Sequence, residues 1–168
     1  MSQHRLVLEG RAWVFAEANL NTDLMMPSRG HPLPLPERAK LIFATYRPGW
    51  SEQVRAGDIL VAGRNFGAGS ARPAAEILRV LGIRALVAES INGLFFRNCV
   101  NYALPAMECP GVLDAVDEGD IVRVDVSEGV LVNTRTGRSV QGSKMPALLL
   151  DIIDAGGTYE QLRRDGYL

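Results

Sequence analysis

Cysteine and histidine are scarce in this chain of 168 residues, which holds only Cys99, Cys109, His4 and His31. The two cysteines have no C-x-x-C spacing, and two thiolates fall short of the three or four ligands that a [4Fe–4S] cluster takes. A disulfide framework is not expected either; the expected state is two buried thiols acting as small apolar groups. Two histidines are too few for a His-rich metal site. Charge of one sign is also lacking: 18 Lys and Arg stand against 19 Asp and Glu, a net charge of −1. No basic cluster with interleaved aromatics is present, which argues against nucleic acid as a partner. No stretch of about 18 apolar residues and no charged-then-apolar beginning occur, so neither a membrane span nor a signal peptide is expected. The expected location is cytoplasmic. Internal repeats, low-complexity segments and linkers are missing as well.

What is present is an ordinary globular composition, 47% hydrophobic, on a length that suits a single domain over residues 1–168 with a substantial core. Residues 5–16 alternate moderately and predict one or two short strands. Residues 19–27 form a polar turn entering an apolar triplet. Residues 28–36, with Gly30, Pro32, Pro34 and Pro36, predict a loop too rich in proline for a helix interior. A short helix is expected over 37–46, then a turn at Arg47-Pro48-Gly49-Trp50, with Trp50 as a lid over the core.

The clearest unit is 58–89: strand 58–62, glycine-rich turn 63–70, helix about 71–81, then strand 84–88. Pro73 suits the first helical turn, Ala74, Ile77, Leu78 and Leu81 form an apolar stripe, and Gly82 suits a left-handed stop. The two strands are expected to be parallel, joined by a right-handed crossover. A second helix is expected over 90–102 with Ser90 as its cap, and a third strand of the same sheet over 104–107. Beyond Pro110 the period changes to two: strands 120–126 and 129–133 form a hairpin through Ser127-Glu128-Gly129, a short strand follows at 139–141, and 146–155 is a final helix with a further turn at 160–164. The pattern is mixed α/β: a small parallel sheet with helices, flanked by β-hairpins.

The run Gly63-Arg64-Asn65-Phe66-Gly67-Ala68-Gly69-Ser70-Ala71-Arg72 carries the chemistry. Its glycines let backbone N–H groups approach a ligand, and the helix that follows offers unpaired donors and a positive dipole end. With a serine and an arginine at the mouth, this arrangement favours an anion, most simply a carboxylate. It is not a dinucleotide fingerprint: only Gly67-x-Gly69 fits, no third glycine follows at 72, and Glu89 is the sole acidic candidate for a ribose. A phosphate-binding Gly-Lys-Ser/Thr is also missing.

The same run resembles the G-x-N-F-G-x-G-S-S-R turn of the aconitase-type small subunits, the isopropylmalate dehydratase and homoaconitase-like family. Residues 19–29 are similar to that family's N-x-x-T-D-x-x-x-P-x-R motif and residues 88–98 to its A-x-S-F-x-x-I-F-x-x-N stretch. Residues 101–105 match N-x-G-L-P loosely, and 148–157 resemble a C-terminal helix ending in Ala-Gly-Gly. Together they span most of residues 14–166. The resemblance implies a swivelling β/β/α domain and a separate large subunit carrying the [4Fe–4S] cluster. It also implies a stereospecific dehydration and rehydration of a hydroxy-dicarboxylic acid in a heterodimer or a dimer of heterodimers. It further implies Ser70 as the base and Arg72 and Arg29 as carboxylate ligands. Gly69, Ala71 and His31 would lie against substrate, Thr22 and Asp23 would orient Arg29, and Asn65 and Gly67 would shape the turn. Arg64 is expected at the surface.

Each residue has a plainer alternative. Ser70 can be a helix cap, Arg72 and Arg29 solvated charges, and Thr22 and Asp23 a simple turn. The chain also departs from the family pattern: Ala71 stands for the second serine, Pro73-Ala74 for Glu-His and Ala68 for a cysteine. Gly30-His31-Pro32-Leu33-Pro34-Leu35-Pro36 replaces an aromatic-Leu pair in the loop that reads the substrate's variable group. The reading favoured is a hydro-lyase small subunit acting on isopropylmalate. The alternatives are the same chemistry on another malate derivative, a non-catalytic carboxylate-binding subunit, and an unrelated anion-binding module.

Overall fold

The computed structural model describes residues 5–26, 32–69 and 73–168. A long strand β1 (Val7–Phe15) comes first, followed by the short helices α1 (Thr22–Met25), α2 (Leu35–Ala39) and α3 (Trp50–Gln53). Then β2 (Ile59–Ala62), α4 (Ala74–Leu81), β3 (Ala85–Ala88), α5 (Gly93–Asn101) and β4 (Ala106–Glu108) alternate. After α6 (Val112–Ala115) come β5 (Ile121–Asp125), β6 (Val130–Asn133) and β7 (Ser139–Gln141), and the chain continues through α7 (Ala147–Asp154) and α8 (Thr158–Arg164).

The strands make one sheet in the order β4-β3-β2-β1-β5-β6-β7. Its first four strands are parallel, and β5, β6 and β7 add on antiparallel. The hairpin thus flanks the parallel strands by extending the same sheet. A single strand, β1, joins the two halves: Ala12–Phe15 pairs with β2, while Val7–Arg11 pairs with β5. Beyond the end of β5, the exposed edge of β1 is satisfied by other acceptors: Ala12 N–H donates to the Asp120 carbonyl at 2.8 Å and Val14 N–H to the Glu118 carboxylate at 3.1 Å. Backbone donors that lose a strand partner need such replacements.

β2 and β3 are buried at every position, as strands covered on both faces must be. Alternate side chains divide between two cores. Trp13, Phe15, Leu60, Ala62, Leu86 and Ala88 face α4 and an aromatic group, whereas Ala12, Ile59, Val61, Ala85 and Val87 face Val112, Leu150 and Ile153. Trp50 lies inside the first core at 0% exposure. It meets Trp13, Phe15 and Phe43 edge-on at ring-centroid distances of 6.1, 5.0 and 5.4 Å. It is thus a central packing element and not a lid.

Other differences from the sequence-based expectation have local causes. The helix expected over 37–46 is interrupted because Phe43 adopts φ 56° and directs its N–H to the Met25 carbonyl at 2.9 Å. α2 instead begins inside the proline-rich stretch, with proline in its first turn, where the missing N–H costs little. Asn92, not Ser90, caps α5 through a bond from Leu94 N–H. The third strand starts later than expected because Leu104 N–H returns to Cys99 O at 2.8 Å to close α5. α4 stops at Gly82 with φ 113°, as expected, and 160–164 belongs to the longer α8.

Cys99 and Cys109 are free and buried. Burial pushes the Cys99 thiol far up, and burial together with the Glu89 carboxylate raises Cys109 to about 11. Thiols in this condition are poor nucleophiles and poor metal ligands.

Ala103 stands where the N-x-G-L-P pattern has glycine, and its φ is 56°. A left-handed alanine costs about 1–2 kcal/mol, more than the added chain entropy of glycine, about 0.4–1 kcal/mol. Ala103→Gly is therefore expected to stabilise the chain by about 0.5–1 kcal/mol, read from the urea midpoint at unchanged m value.

Two of the buried aspartates contribute to acid sensitivity. Burial acts to raise the Asp58 carboxyl, but hydrogen bonds from Arg11, the Arg55 amide and Trp13 outweigh it, and the group titrates below its ordinary value. Asp120 is held well below the carboxylate range, chiefly by Arg135, with the Asp117 amide and Asn133 assisting. A carboxyl depressed in the folded state contributes stability above its unfolded value, and that contribution is lost as pH falls through the folded value. The urea midpoint is thus expected to hold on acidification until about pH 4 and then to fall. Asp58→Asn is expected to be less stable at pH 7 and to fall less steeply below pH 4.

Candidate functional site

The parallel strands β1, β2 and β3 end at Phe15, Ala62 and Ala88, and three of the quoted motifs, at 19–29, 63–72 and 88–98, follow these ends. In open α/β sheets this is the edge where ligands bind. β2 runs into the glycine turn, which is stitched to both neighbouring loops. On the β1 side, Asn19 N–H donates to Arg64 O at 2.8 Å, Gly67 N–H to Leu20 O at 2.8 Å, and Thr22 N–H to Ala68 O at 2.9 Å. The Asn65 amide donates to Asn19 Oδ1 at 2.9 Å. On the β3 side, Asn65 N–H donates to Ser90 Oγ at 2.8 Å, Phe66 N–H to Ser90 O at 3.1 Å and Asn92 N–H to Phe66 O at 2.9 Å. Segments around residues 20, 66 and 91 thus form one layer over the strand ends.

Two glycines of the turn adopt left-handed backbone. Gly67 has φ 80°, and a Cβ there would lie 2.2 Å from Cγ of Phe95. Gly69 has φ 104°, and its Cβ would lie 3.3 Å from Thr22 Oγ1. Gly69 is exposed while Gly67 is buried, so the turn rises from the core to the surface just before residue 70. On the far side, Pro73 occupies the cap position of α4 and makes no side-chain capping bond. The N-terminus of α4, where the first backbone N–H groups of a helix have no intrahelical acceptor, follows residues 70–72 in sequence.

Thr22 is 2% exposed and opens α1, which Asn21 caps by accepting from Leu24 N–H at 2.9 Å. Asp23 is in the first turn of that helix and exposed. Arg64 is exposed, as expected. Asn65, Gly67, Gly69 and Thr22 are thus gathered in one place. Ser70, Ala71, Arg72, Arg29 and His31 lie outside the described residues.

Sequence reasoning missed two contributors, Ser90 and Glu108. Ser90 was expected to cap a helix, yet its hydroxyl and carbonyl both anchor the turn. Serine is favoured in either use, and spacing alone does not separate them. Glu108 at the end of β4 fixes Ile91 by accepting its N–H at 2.8 Å. Glu89, the sole acidic candidate for a ribose, accepts from Gly111 N–H at 2.8 Å and Leu113 N–H at 3.1 Å and thereby caps α6. Its carboxylate is committed to the fold.

Among the described residues no group of three or more His, Cys, Asp or Glu is placed to hold a metal ion. The two buried thiols do not fit an iron–sulfur cluster. No helix among them is long and apolar enough to cross a membrane.

Residues 43–110 match the family model described as the aconitase C-terminal domain. The 3-isopropylmalate dehydratase small subunit 1 of Methanopyrus kandleri is 40% identical, over 96% of each chain. The isopropylmalate/citramalate isomerase small subunit of Methanocaldococcus jannaschii is 36% identical, over 95% of this chain and 96% of its own. A crystal structure of 3-isopropylmalate dehydratase from M. jannaschii superposes with a TM-score of 0.86 at 30% identity, covering 96% of each chain. The glycine turn, the two loops that hold it and these likenesses agree: the chain belongs to the aconitase-type family of 3-isopropylmalate dehydratase small subunits, hydro-lyase components with a swivelling-domain fold.

Proposed function

We propose that residues 1–168 act as one swivelling domain that completes the active site of a two-chain hydro-lyase. The substrate is a substituted malate, foremost 3-isopropylmalate, isomerised through the alkene formed by loss of water. One observation carries this reading. The loops following β1 and β3 are hydrogen-bonded to the glycine turn at the carboxyl edge of the sheet, immediately ahead of Ser70-Ala71-Arg72. An anion-binding mouth at that edge suits a dicarboxylate.

In this reading a large aconitase-type subunit brings the [4Fe–4S] cluster and with it the Lewis acidity for the departing hydroxyl. This chain's own part is binding and proton transfer. Arg72 and Arg29 each hold a substrate carboxylate, with a planar guanidinium able to bind both oxygens. Drawing charge from the carboxylate acidifies the neighbouring C–H. Ser70, as alkoxide, takes that proton and becomes a hydroxyl; on rehydration it returns a proton to the alkene. A serine hydroxyl is a poor base in water, and its alkoxide is stabilised by nearby backbone donors, a helix N-terminus and cationic side chains. Gly69 and Ala71 lie along the substrate, Thr22 and Asp23 orient Arg29, and Asn65 and Gly67 shape the turn.

A second reading keeps the chemistry and changes the substrate. Ala71 replaces a serine, and the loop with His31 lacks the aromatic-Leu pair, so one hydroxyl and one apolar contact of the family pattern are gone. The M. jannaschii relative is named for citramalate as well as isopropylmalate. Co-expression with a large subunit, anaerobic cluster reconstitution and ultraviolet detection of the alkene over a panel of malates tests both. Preference for 3-isopropylmalate supports the first reading, and preference for a smaller malate the second. Silence across the panel with an intact cluster contradicts both and favours a non-catalytic binding subunit.

A further inference from the structure

Asn19 and Asn65 adopt left-handed backbone, φ 61° and 52°. They come from loops 46 positions apart and are joined side chain to side chain, Asn65 Nδ2 to Asn19 Oδ1, at 2.9 Å. Each residue is also fixed along the backbone. Asn19 N–H reaches Arg64 O at 2.8 Å, and Asn65 N–H reaches Ser90 Oγ at 2.8 Å. Asparagine tolerates positive φ better than other residues with a side chain, but the conformation is still unfavourable. A solvent-exposed hydrogen bond adds little net stability. Two strained residues tied by an exposed bond are thus a poor investment in stability, and strain of this sort gathers where geometry serves a site.

We infer that Asn19 and Asn65 form a clasp that sets the register of the loop leading to Arg29 against the turn leading to Ser70 and Arg72, so that both are positioning residues for the hydro-lyase reaction. This rests on the proposed function above. The clasp sits at the entrance to the two backbone bonds that carry the register onward, Gly67 N–H to Leu20 O and Thr22 N–H to Ala68 O. Asn19 opens the first loop just past β1, and Asn65 lies midway between the end of β2 and Ser70. A shift of one loop against the other changes the spacing of the groups that must grip the two ends of one small dicarboxylate. Displacement of about 1 Å costs up to a hundredfold in rate.

The test uses the two-chain holoenzyme with Asn19→Asp, Asn65→Asp or both. Each substitution adds the same charge at nearly the same place and keeps side-chain size and tolerance of positive φ, so effects common to them cancel. Either single variant keeps the bond, because the asparagine that remains can turn its NH2 to the new carboxylate; the double variant has no donor and sets carboxylate against carboxylate. The double variant is expected to lower kcat/KM about tenfold to a hundredfold more than the product of the two single-variant effects, mostly in kcat, with every variant folded at the assay temperature. It is also expected to speed hydrogen exchange at the Gly67 and Thr22 amides, while each single variant leaves them protected. A double variant no slower than the product of the two single-variant effects, with an active wild-type complex, overturns the clasp and leaves the hydro-lyase reading standing. Unchanged exchange in the double variant also overturns it. An inactive wild-type complex with an intact cluster overturns the reading and the catalytic role of the clasp together.

Discussion

Replacing Ser70 by alanine is expected to lower kcat of the reconstituted complex roughly a thousandfold, the scale of losing a positioned proton-transfer group. KM is expected to change much less. The reason lies in the proposed division of labour: the substrate's carboxylates are held by arginines, whereas the hydroxyl of Ser70 interacts most strongly when the C–H bond is breaking. An interaction made mainly in the transition state appears in kcat and in kcat/KM together. The plainer role of Ser70, a helix cap, leads to a different result. Loss of a cap costs about 1 kcal/mol of stability and leaves the chemistry alone. Pro73, not Ser70, holds the cap position of α4, so no such loss of stability is expected. Steady-state kinetics and a urea titration on the same preparation separate the two roles.

Gly67→Ala is expected to be the most damaging single methyl addition in the turn, at about 3 kcal/mol or more. Two costs combine. The backbone sits at φ 80°, and the new Cβ would lie 2.2, 2.5 and 2.7 Å from three atoms of Phe95. Phe95 has no room to yield: it is 1% exposed and packs edge-on against Phe66 with ring centroids 5.4 Å apart. Gly49 supplies the control, because it has φ 78° and nothing within 4 Å of the added Cβ. Gly49→Ala is expected to lose only the backbone part, about 1–2 kcal/mol. Equal urea midpoints for the two variants would show that Phe95 does not confine the turn.

The strand–turn–helix unit around residues 58–89 was legible because several local signals agree there: an apolar run, glycines, a proline suited to a helix start and Gly82 suited to its end. The order of the sheet was less so. The alternation of β1 is compatible with one strand or two, and only its pairing with both β2 and β5 shows one strand serving two neighbours. The flanking hairpin was legible as strands, but its pairing with β1 was not, since period two marks a strand and not its partner. Phe43 was hidden as a helix breaker, because nothing in an aromatic side chain announces a left-handed backbone. At the site, the importance of Asn65 and Gly67 was readable from the turn itself. Ser90 was not, because its partner is Asn65, distant in sequence. Trp50 followed a proline–glycine turn and read as peripheral, although the tertiary fold places it among Trp13, Phe15 and Phe43.

The most direct test of the central claim is titration of this chain into a large subunit whose [4Fe–4S] cluster is intact, with 3-isopropylmalate conversion followed by NMR. The large subunit alone is expected to be inactive. Turnover is expected to appear as this chain is added, to saturate, and to be lost when Ser70→Ala is added instead. Turnover by the large subunit alone, or no turnover of any malate once the two chains are shown to associate, would contradict the claim that this chain supplies the base and the carboxylate grip.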